Sequence, residues 1–103
     1  MKKIIEVKAS PHMNLWLKFS DGLSGEFCFS DYFKCDTDIS RKLLDPTYFS
    51  KVKVNNEFGC IEWPNGYDPD PDVLYAIISK QKIIVNEKVV FDPSQGRDAW
   101  VRD

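Results

Sequence analysis

The sequence predicts an α+β domain: a small antiparallel sheet with one main helix packed on one of its faces, followed by a late β-hairpin and a tail. Three observations carry this prediction. Short β-type runs occupy most of the chain, an Asp21-Gly22 pair joins two of them, and a single segment after Asp70 has clear helical periodicity. The 103 residues are 43% apolar and 29% charged, which is typical of one globular domain with a core of its own.

Three strands are predicted in the first part of the chain. The second and third flank the Asp21-Gly22 pair, and a tight two-residue turn forces antiparallel pairing. Their predicted bounds are residues 4–8, 14–19 and 23–29.

The middle of the chain carries helix-start signals and two further strands. Ser40 is a candidate cap for one short turn, and Asp45 followed by Pro46 predicts a second. Alternation of charge and valine predicts a half-exposed strand over 51–54, and a β-type run predicts another over 58–63.

The main helix is predicted to begin after Asp70, which can cap it, with Pro71 at the first helical position and Asp72 near the positive end of the helix dipole. Its apolar stripe is Leu74, Ile77 and Ile78, and its predicted exit is Ser79-Lys80.

Residues 80–103 are predicted to be a C-terminal extension of the same domain as residues 1–79. Two β-type runs, 83–85 and 89–91, predict the late hairpin. Residues 92–103 lack periodicity and predict a loosely ordered tail, with Trp100 as the one residue able to dock.

Charge and cysteine content limit the environment and the partners. The formal net charge is −2, so no overall basic field attracts nucleic acid or an anionic membrane. No apolar run is long enough to span a bilayer, and the charged start does not resemble a signal peptide. Three cysteines favour a reducing cytoplasm over a disulfide framework. Cys28 and Cys60 are expected to be buried, and Cys35 is expected to be the most exposed thiol, with a pKa that Lys34 could lower.

The stretch from Trp63 to Tyr75 is the most distinctive part of the sequence, and it resembles the signature of a bacterial family known as domain of unknown function 2442. The residues that match within it are Trp63, Gly66, Asp68, Pro71, Asp72, Leu74 and Tyr75. Upstream, the similar residues are Leu15, Phe19, Asp21, Gly22, the 44–46 run, Phe49 and Val52.

The likeness covers about residues 4–78 and implies a small α+β domain with an antiparallel sheet. It implies no established activity. Some members look like one half of a toxin–antitoxin-type pair, and others carry a downstream helix-turn-helix segment, whereas this chain continues as a hairpin and a tail.

The same stretch has a structural interpretation that is independent of the family. Asn65-Gly66 supplies a tight turn, and Asp68 is expected to accept hydrogen bonds from backbone N–H groups in the manner of an Asx turn. Replacing Asp68 with Ala should then destabilise the fold by about 1 kcal/mol.

No catalytic, cofactor-binding or metal-ligating residue is predicted. The alternation of Asp68, Asp70 and Asp72 resembles a calcium loop, but Val73 and Ser79 stand where such a loop has Gly and Glu. His12 is the single histidine, and no nucleophile motif or phosphate-binding glycine loop is present.

The leading functional hypothesis is therefore a non-enzymatic protein-interaction module, one half of a toxin–antitoxin-like pair or a homodimer. Surplus aromatic residues are the usual anchors of interfaces. The predicted partner-binding residues are Trp16, Tyr32 and Tyr67 as anchors, with Asp68, Asp70 and Asp72 as an acidic rim. One alternative is a small-ligand-binding or hydrolytic protein that uses carboxylates near Trp63, among them Glu62 and Asp68. Another is a nucleic-acid-linked regulator with a basic edge formed by residues 1–3, Lys18, Trp16 and Phe19.

Overall fold

The structure is a computed structural model that describes residues 2–100, and of Arg97 the backbone alone. It contains seven strands and two α-helices in these residues. The strands are β1 (Ile4–Ser10), β2 (Asn14–Phe19), β3 (Ser24–Cys28), β4 (Lys53–Asn55), β5 (Cys60–Glu62), β6 (Ile83–Val85) and β7 (Lys88–Phe91). The helices are α1 (Pro46–Phe49) and α2 (Pro71–Ser79), with 3₁₀ segments at Phe29–Asp31, Ser40–Leu44 and Pro93–Asp98.

The predicted fold class is confirmed: the chain is an α+β protein with antiparallel pairing, one main helix and a late hairpin. The strands of the described residues form three antiparallel sheets, in the orders β1-β2-β3, β4-β5 and β6-β7. Backbone contacts join the first two, because the Ile4 N–H donates to the Gly59 carbonyl at 2.8 Å. The loop between β2 and β3 consists of the four residues 20–23 rather than two, and Gly22 lies in it with a φ of 93°.

Helix α2 packs on the inner face of the three-stranded sheet. Leu74 and Ile77 are buried in the core, as their spacing predicts. A Cβ on Gly25 of β3 would lie 3.0 Å from the Ile78 side chain, so the absence of a side chain at Gly25 lets the helix approach the strand. The helix ends at Ser79, and Lys80 adopts the left-handed conformation of a C-terminal cap.

The core is centred on the fully buried side chain of Trp63, which follows β5. Its indole N–H donates to the Phe49 carbonyl at 2.9 Å, so the end of β5 is bonded to the end of α1. The rings of Phe29, Phe49 and Tyr67 lie with centroids 5.6, 5.5 and 5.8 Å from that of Trp63. Phe91 and Ala99 belong to the same buried cluster, so the C-terminal segment packs on the common core.

Several expectations about individual residues were wrong. Phe58, predicted to lie in a strand, is 64% exposed, because β5 starts only at Cys60. Cys28 is half-buried on the outer side of β3, with its sulfur 3.2 Å from the Ser30 hydroxyl. Ser40 is not the cap of its turn, because its buried hydroxyl instead accepts from the Thr37 N–H at 3.0 Å.

The expectation of a loose tail was also wrong within the described residues. Asp92 accepts from the Ser94 N–H at 3.0 Å and caps Pro93–Asp98, while the Asp92 N–H donates to the Ala99 carbonyl at 2.8 Å. Ala99 is fully buried. Residues 101–103 of the predicted tail lie outside the described residues.

The helix caps predicted at Asp45 and Asp70 are confirmed, but the Asx turn predicted at Asp68 is wrong. The Asp70 carboxylate accepts from the Asp72 N–H at 2.9 Å, whereas the structure shows no hydrogen bond from the described residues to the exposed Asp68 carboxylate. Asn65 makes the Asx contact of this loop instead, since its Oδ1 accepts from the Tyr67 N–H at 3.2 Å.

We expect Asp70→Ala to lower the free energy of unfolding by about 1 kcal/mol, because the first turn of α2 loses its capping acceptor. Asp68→Ala is the matched control, an exposed aspartate two residues away with no capping bond, and should leave stability within about 0.5 kcal/mol. Urea denaturation followed by circular dichroism measures both. Equal losses in the two variants would contradict the capping assignment.

A polar contact also ties α2 to the β2–β3 loop. The Tyr75 hydroxyl donates to the Asp21 carboxylate at 2.6 Å, and the Lys2 ammonium lies 3.5 Å from the same oxygen. The Tyr75 hydrogen bond, followed by the Leu23 N–H and by Lys2, holds the pKa of Asp21 below its ordinary value of 3.8. This contact stabilises the fold above pH 3.8 and is lost as the pH falls through the folded-state pKa.

Tyr75→Phe removes the hydroxyl and keeps the ring, so it should reduce stability at neutral pH by an amount that shrinks on acidification. The difference from the wild type should be constant above pH 3.8 and should decline as the pH falls further, through the lowered folded-state pKa of Asp21. Urea titrations across that range measure it. A difference that is independent of pH would show that the hydroxyl does not interact with a charged Asp21.

Candidate functional site

A cleft with a volume of about 1000 Å³ lies beside the aromatic rings that pack around Trp63. One wall is the segment that follows β3, residues 30–36, and the other includes Tyr67, Leu44 and the C-terminal residues Asp98 and Trp100. Phe33 stacks on Phe29 at 4.5 Å, and this contact fixes the first wall against the core. We call this surface the aromatic cleft.

The C-terminal segment is attached to the first wall through Tyr32. The Tyr32 hydroxyl donates to the Pro93 carbonyl at 3.2 Å, and the Trp100 indole N–H donates to the Tyr32 carbonyl at 3.3 Å. The Trp100 ring also packs edge-on against Phe91 at 4.7 Å, yet 45% of the residue is exposed. The cleft is therefore closed by residues that are far apart in sequence, and it presents partly exposed aromatic rings.

The charge of the aromatic cleft is mainly negative. Three of its lining residues, Asp31, Asp36 and Asp98, are acidic, and Lys34 is basic. This acidic edge differs from the predicted one, because Asp68, Asp70 and Asp72 do not line the cleft. Of those three, Asp70 caps α2, Asp72 lies in its first turn, and Asp68 is exposed.

Two tyrosines and one cysteine of the aromatic cleft have pKa values shifted so that their neutral forms are favoured. Burial raises the pKa of Tyr32, and the negative charge of Asp31 raises it by a smaller amount. Burial also raises the pKa of Tyr67, with smaller contributions from the charges of Cys35 and Asp68. Burial, followed by the charge of Asp36, also raises the pKa of the Cys35 thiol. The expectation that Lys34 lowers the pKa of Cys35 was therefore wrong, and Cys35 is half-buried rather than exposed.

The predicted anchors do not all lie on one surface. Tyr32 and Tyr67 meet in the aromatic cleft, but Trp16 lies on the outer face of the three-stranded sheet. There it pairs across the strands with Lys8 and Glu26, and the Lys8 ammonium lies 5.4 Å from its ring. Opposite charges flank Trp16, which is the pattern of a solvated sheet face.

Sequence reasoning missed several cleft residues. No local pattern marks Phe33 or Cys35 as a site residue, and the exposure of Leu44 has no local signal because the neighbouring Leu43 is fully buried. The sequence predicts that Trp100 docks, but gives no sign that it lines a site.

The residues of the alternative sites are placed elsewhere. Glu62 accepts from the Asn55 amide at 2.8 Å, and neither Glu62 nor Asp68 lines the aromatic cleft. Phe19, counted in the basic edge, is fully buried, and Met1 lies outside the described residues. Within residues 2–100 no group of three or more His, Cys, Asp or Glu side chains is arranged to hold a metal ion. Nor is any helix there long and apolar enough to cross a membrane.

Residues 4–80 match the model of the family described as "Protein of unknown function (DUF2442)". The chain belongs to this family. Neither the curated proteins nor the solved structures contain a significant match to it. The DUF2442 match includes the first wall of the aromatic cleft, Leu44 and Tyr67, and it ends before Asp98 and Trp100.

The raised pKa of the Cys35 thiol can be used to test whether this side chain is buried beside an acidic residue in the aromatic cleft. In a Cys28→Ser, Cys60→Ser variant, alkylation of Cys35 by iodoacetamide should have a pH midpoint above the ordinary thiol value of 9.0, because the thiolate is the reacting form. The same variant unfolded in urea provides the reference midpoint. A folded midpoint at or below that reference would contradict the buried, anionic surroundings assigned to Cys35. Mass spectrometry of the Cys35 peptide gives the rates.

Proposed function

We propose that this protein is a non-enzymatic interaction module that binds a segment of another protein in the aromatic cleft. The observation that carries the proposal is the joining of Tyr32, Tyr67 and Trp100 in one cleft with an acidic edge. Partly buried aromatic rings are the usual centres of binding energy at interfaces.

The chemistry of the cleft supports one kind of occupant. Among the described side chains of its lining, three carboxylates stand against one lysine, so a segment with Lys or Arg beside an aromatic or aliphatic anchor is complementary in charge. Such a segment would belong to the other member of a two-protein pair, as in the toxin–antitoxin-type pairs implied by the family resemblance.

The state of the titratable groups supports binding over catalysis. A nucleophile is normally activated by a lowered pKa or by an adjacent base. In the aromatic cleft, burial raises the pKa of the Cys35 thiol and of the Tyr32 and Tyr67 phenols, so all three favour neutral forms. The hydrolytic alternative gains no support from Glu62 and Asp68, which lie outside the cleft.

The test first selects peptides that bind the protein and then measures how two tryptophan substitutions on different surfaces change their affinity. Random short peptides displayed on phage are selected on the full-length protein, and the selected peptides are synthesised with a fluorophore. Peptides with basic residues beside an apolar anchor should be enriched, and their affinity should fall with added salt because exposed charges are screened.

Trp100→Ala should weaken binding of the selected peptides about 30-fold, the effect of losing a typical aromatic hot spot of about 2 kcal/mol. Trp16→Ala is the matched control, the same substitution on the outer sheet face, and should bind like the wild type. Fluorescence anisotropy gives the dissociation constants, and thermal melts verify that both variants fold.

Three outcomes would overturn the proposal. They are the absence of any enriched peptide, loss of binding in Trp16→Ala rather than Trp100→Ala, and a dimer by light scattering that Trp100→Ala dissociates. The last would assign the aromatic cleft to a second copy of the chain.

A further inference from the structure

A second cleft, of about 560 Å³, adjoins the aromatic cleft at Leu44, which lines both. On one side it is lined by residues 9–13, which are the end of β1 and the β1–β2 loop, and on the other by helix α1 and the residue that follows it, Ser50. Its lining differs in character from that of the aromatic cleft. It includes Met13, Leu44, Pro46 and Phe49, and it contains no Asp, Glu, Lys or Arg. We call it the apolar cleft.

Leu44 is held between the two clefts by a well-defined turn. Leu43 points into the core and is fully buried, while Leu44 is 55% exposed. The Asp45 N–H donates to the Lys42 carbonyl at 3.2 Å, and the Asp45 side chain caps α1 immediately afterwards. The exposed leucine is therefore presented by backbone that is hydrogen-bonded on both sides.

The opposite wall of the apolar cleft is also fixed. His12 and Met13 both adopt positive φ, at 66° and 61°, which is uncommon for residues other than glycine. The Met13 carbonyl accepts from the Phe29 N–H at 2.8 Å, and the Asn14 amide donates to the Pro11 carbonyl at 3.0 Å. These bonds hold the loop in a strained conformation that places the adaptable side chain of Met13 in the cleft wall.

We infer that the two clefts form one continuous surface for a single partner segment, which lays its basic residues in the aromatic cleft, crosses Leu44, and inserts an aliphatic side chain into the apolar cleft. The inference rests on the proposed function and extends it to the length and order of the bound segment. Charge complementarity sets the order of the segment along this surface. Acidic residues line the aromatic cleft and favour the basic end of the segment, whereas no Asp, Glu, Lys or Arg is found among the lining residues of the apolar cleft.

The first experiment places a charge on the crossing point. Leu44→Asp should weaken the binding of a selected peptide about tenfold or more, because a carboxylate would be desolvated between the two clefts. Ile39→Asp is the matched control. Ile39 is 52% exposed, lies immediately before the same 3₁₀ segment and lines neither cleft. The affinity of the Ile39→Asp variant for the selected peptide should therefore stay within about twofold of that of the wild type.

The second experiment addresses the apolar cleft alone. Met13→Asn removes the apolar side chain, and asparagine tolerates the positive φ at this position. It should weaken the full selected peptide about tenfold and leave the affinity of a shortened peptide, reduced to its basic half, unchanged. Circular dichroism and thermal melts of each variant confirm folding, and Leu44→Asp, at an exposed site, carries the test if Met13→Asn does not fold.

The outcomes separate this inference from the proposed function. If Trp100→Ala weakens the full peptide while Leu44→Asp binds it like Ile39→Asp, the binding function holds and the two-cleft surface is overturned. If Trp100→Ala has no effect, the proposed function itself fails. Loss of affinity for the full peptide in both Leu44→Asp and Met13→Asn, with Ile39→Asp unchanged and the shortened peptide unaffected by Met13→Asn, supports a segment that crosses both clefts.

Discussion

The buried indole N–H of Trp63 is the constraint on which the rest of the structure depends. A polar hydrogen inside an apolar core is costly unless it is bonded, and here the Phe49 carbonyl accepts it. That one bond places the end of β5 against α1 and sets the position around which the rings of Phe29 and Tyr67 pack. Tyr67 is also part of the aromatic cleft, so this surface is a direct continuation of the core. A cleft built in this way is largely preorganised, which reduces the entropy cost of the proposed binding.

The aromatic cleft is formed by two parts of the chain, one inside the range that matches the DUF2442 family and one outside it. One wall, including Tyr32 and Phe33, lies inside the range that matches DUF2442, and Trp100 lies outside it. Reciprocal hydrogen bonds between the segment after β3 and the C-terminal segment join the two parts. Residues 81–100 therefore contribute to the candidate site as well as to the core, and residues 92–100 are placed by the same contacts that form the cleft.

Local hydrogen bonding explains where sequence reasoning succeeded. The caps at Asp45 and Asp70 and the turn at Asp21-Gly22 depend on groups within a few residues of one another, so their residue types are sufficient to predict them. The choice between Asn65 and Asp68 was different. Both can form an Asx turn, but the loop closes through the Trp63 N–H, which donates to the Tyr67 carbonyl at 3.0 Å, and this closure favours Asn65. Such a closure depends on where Trp63 lies in the core.

The sequence by itself determined the α+β class, the order of most elements, the start of α2 and the existence of the late hairpin, because periodicity and capping act over short distances. Tertiary structure decided which aromatic residues share a surface. Tyr32 and Trp100 are 68 positions apart and meet only because Phe91 and Ala99 are drawn into the common core. It also decided that Leu43 is buried and Leu44 exposed, although the two side chains are chemically identical. Burial depends on what packs against each position from elsewhere in the chain, and no local pattern contains that information.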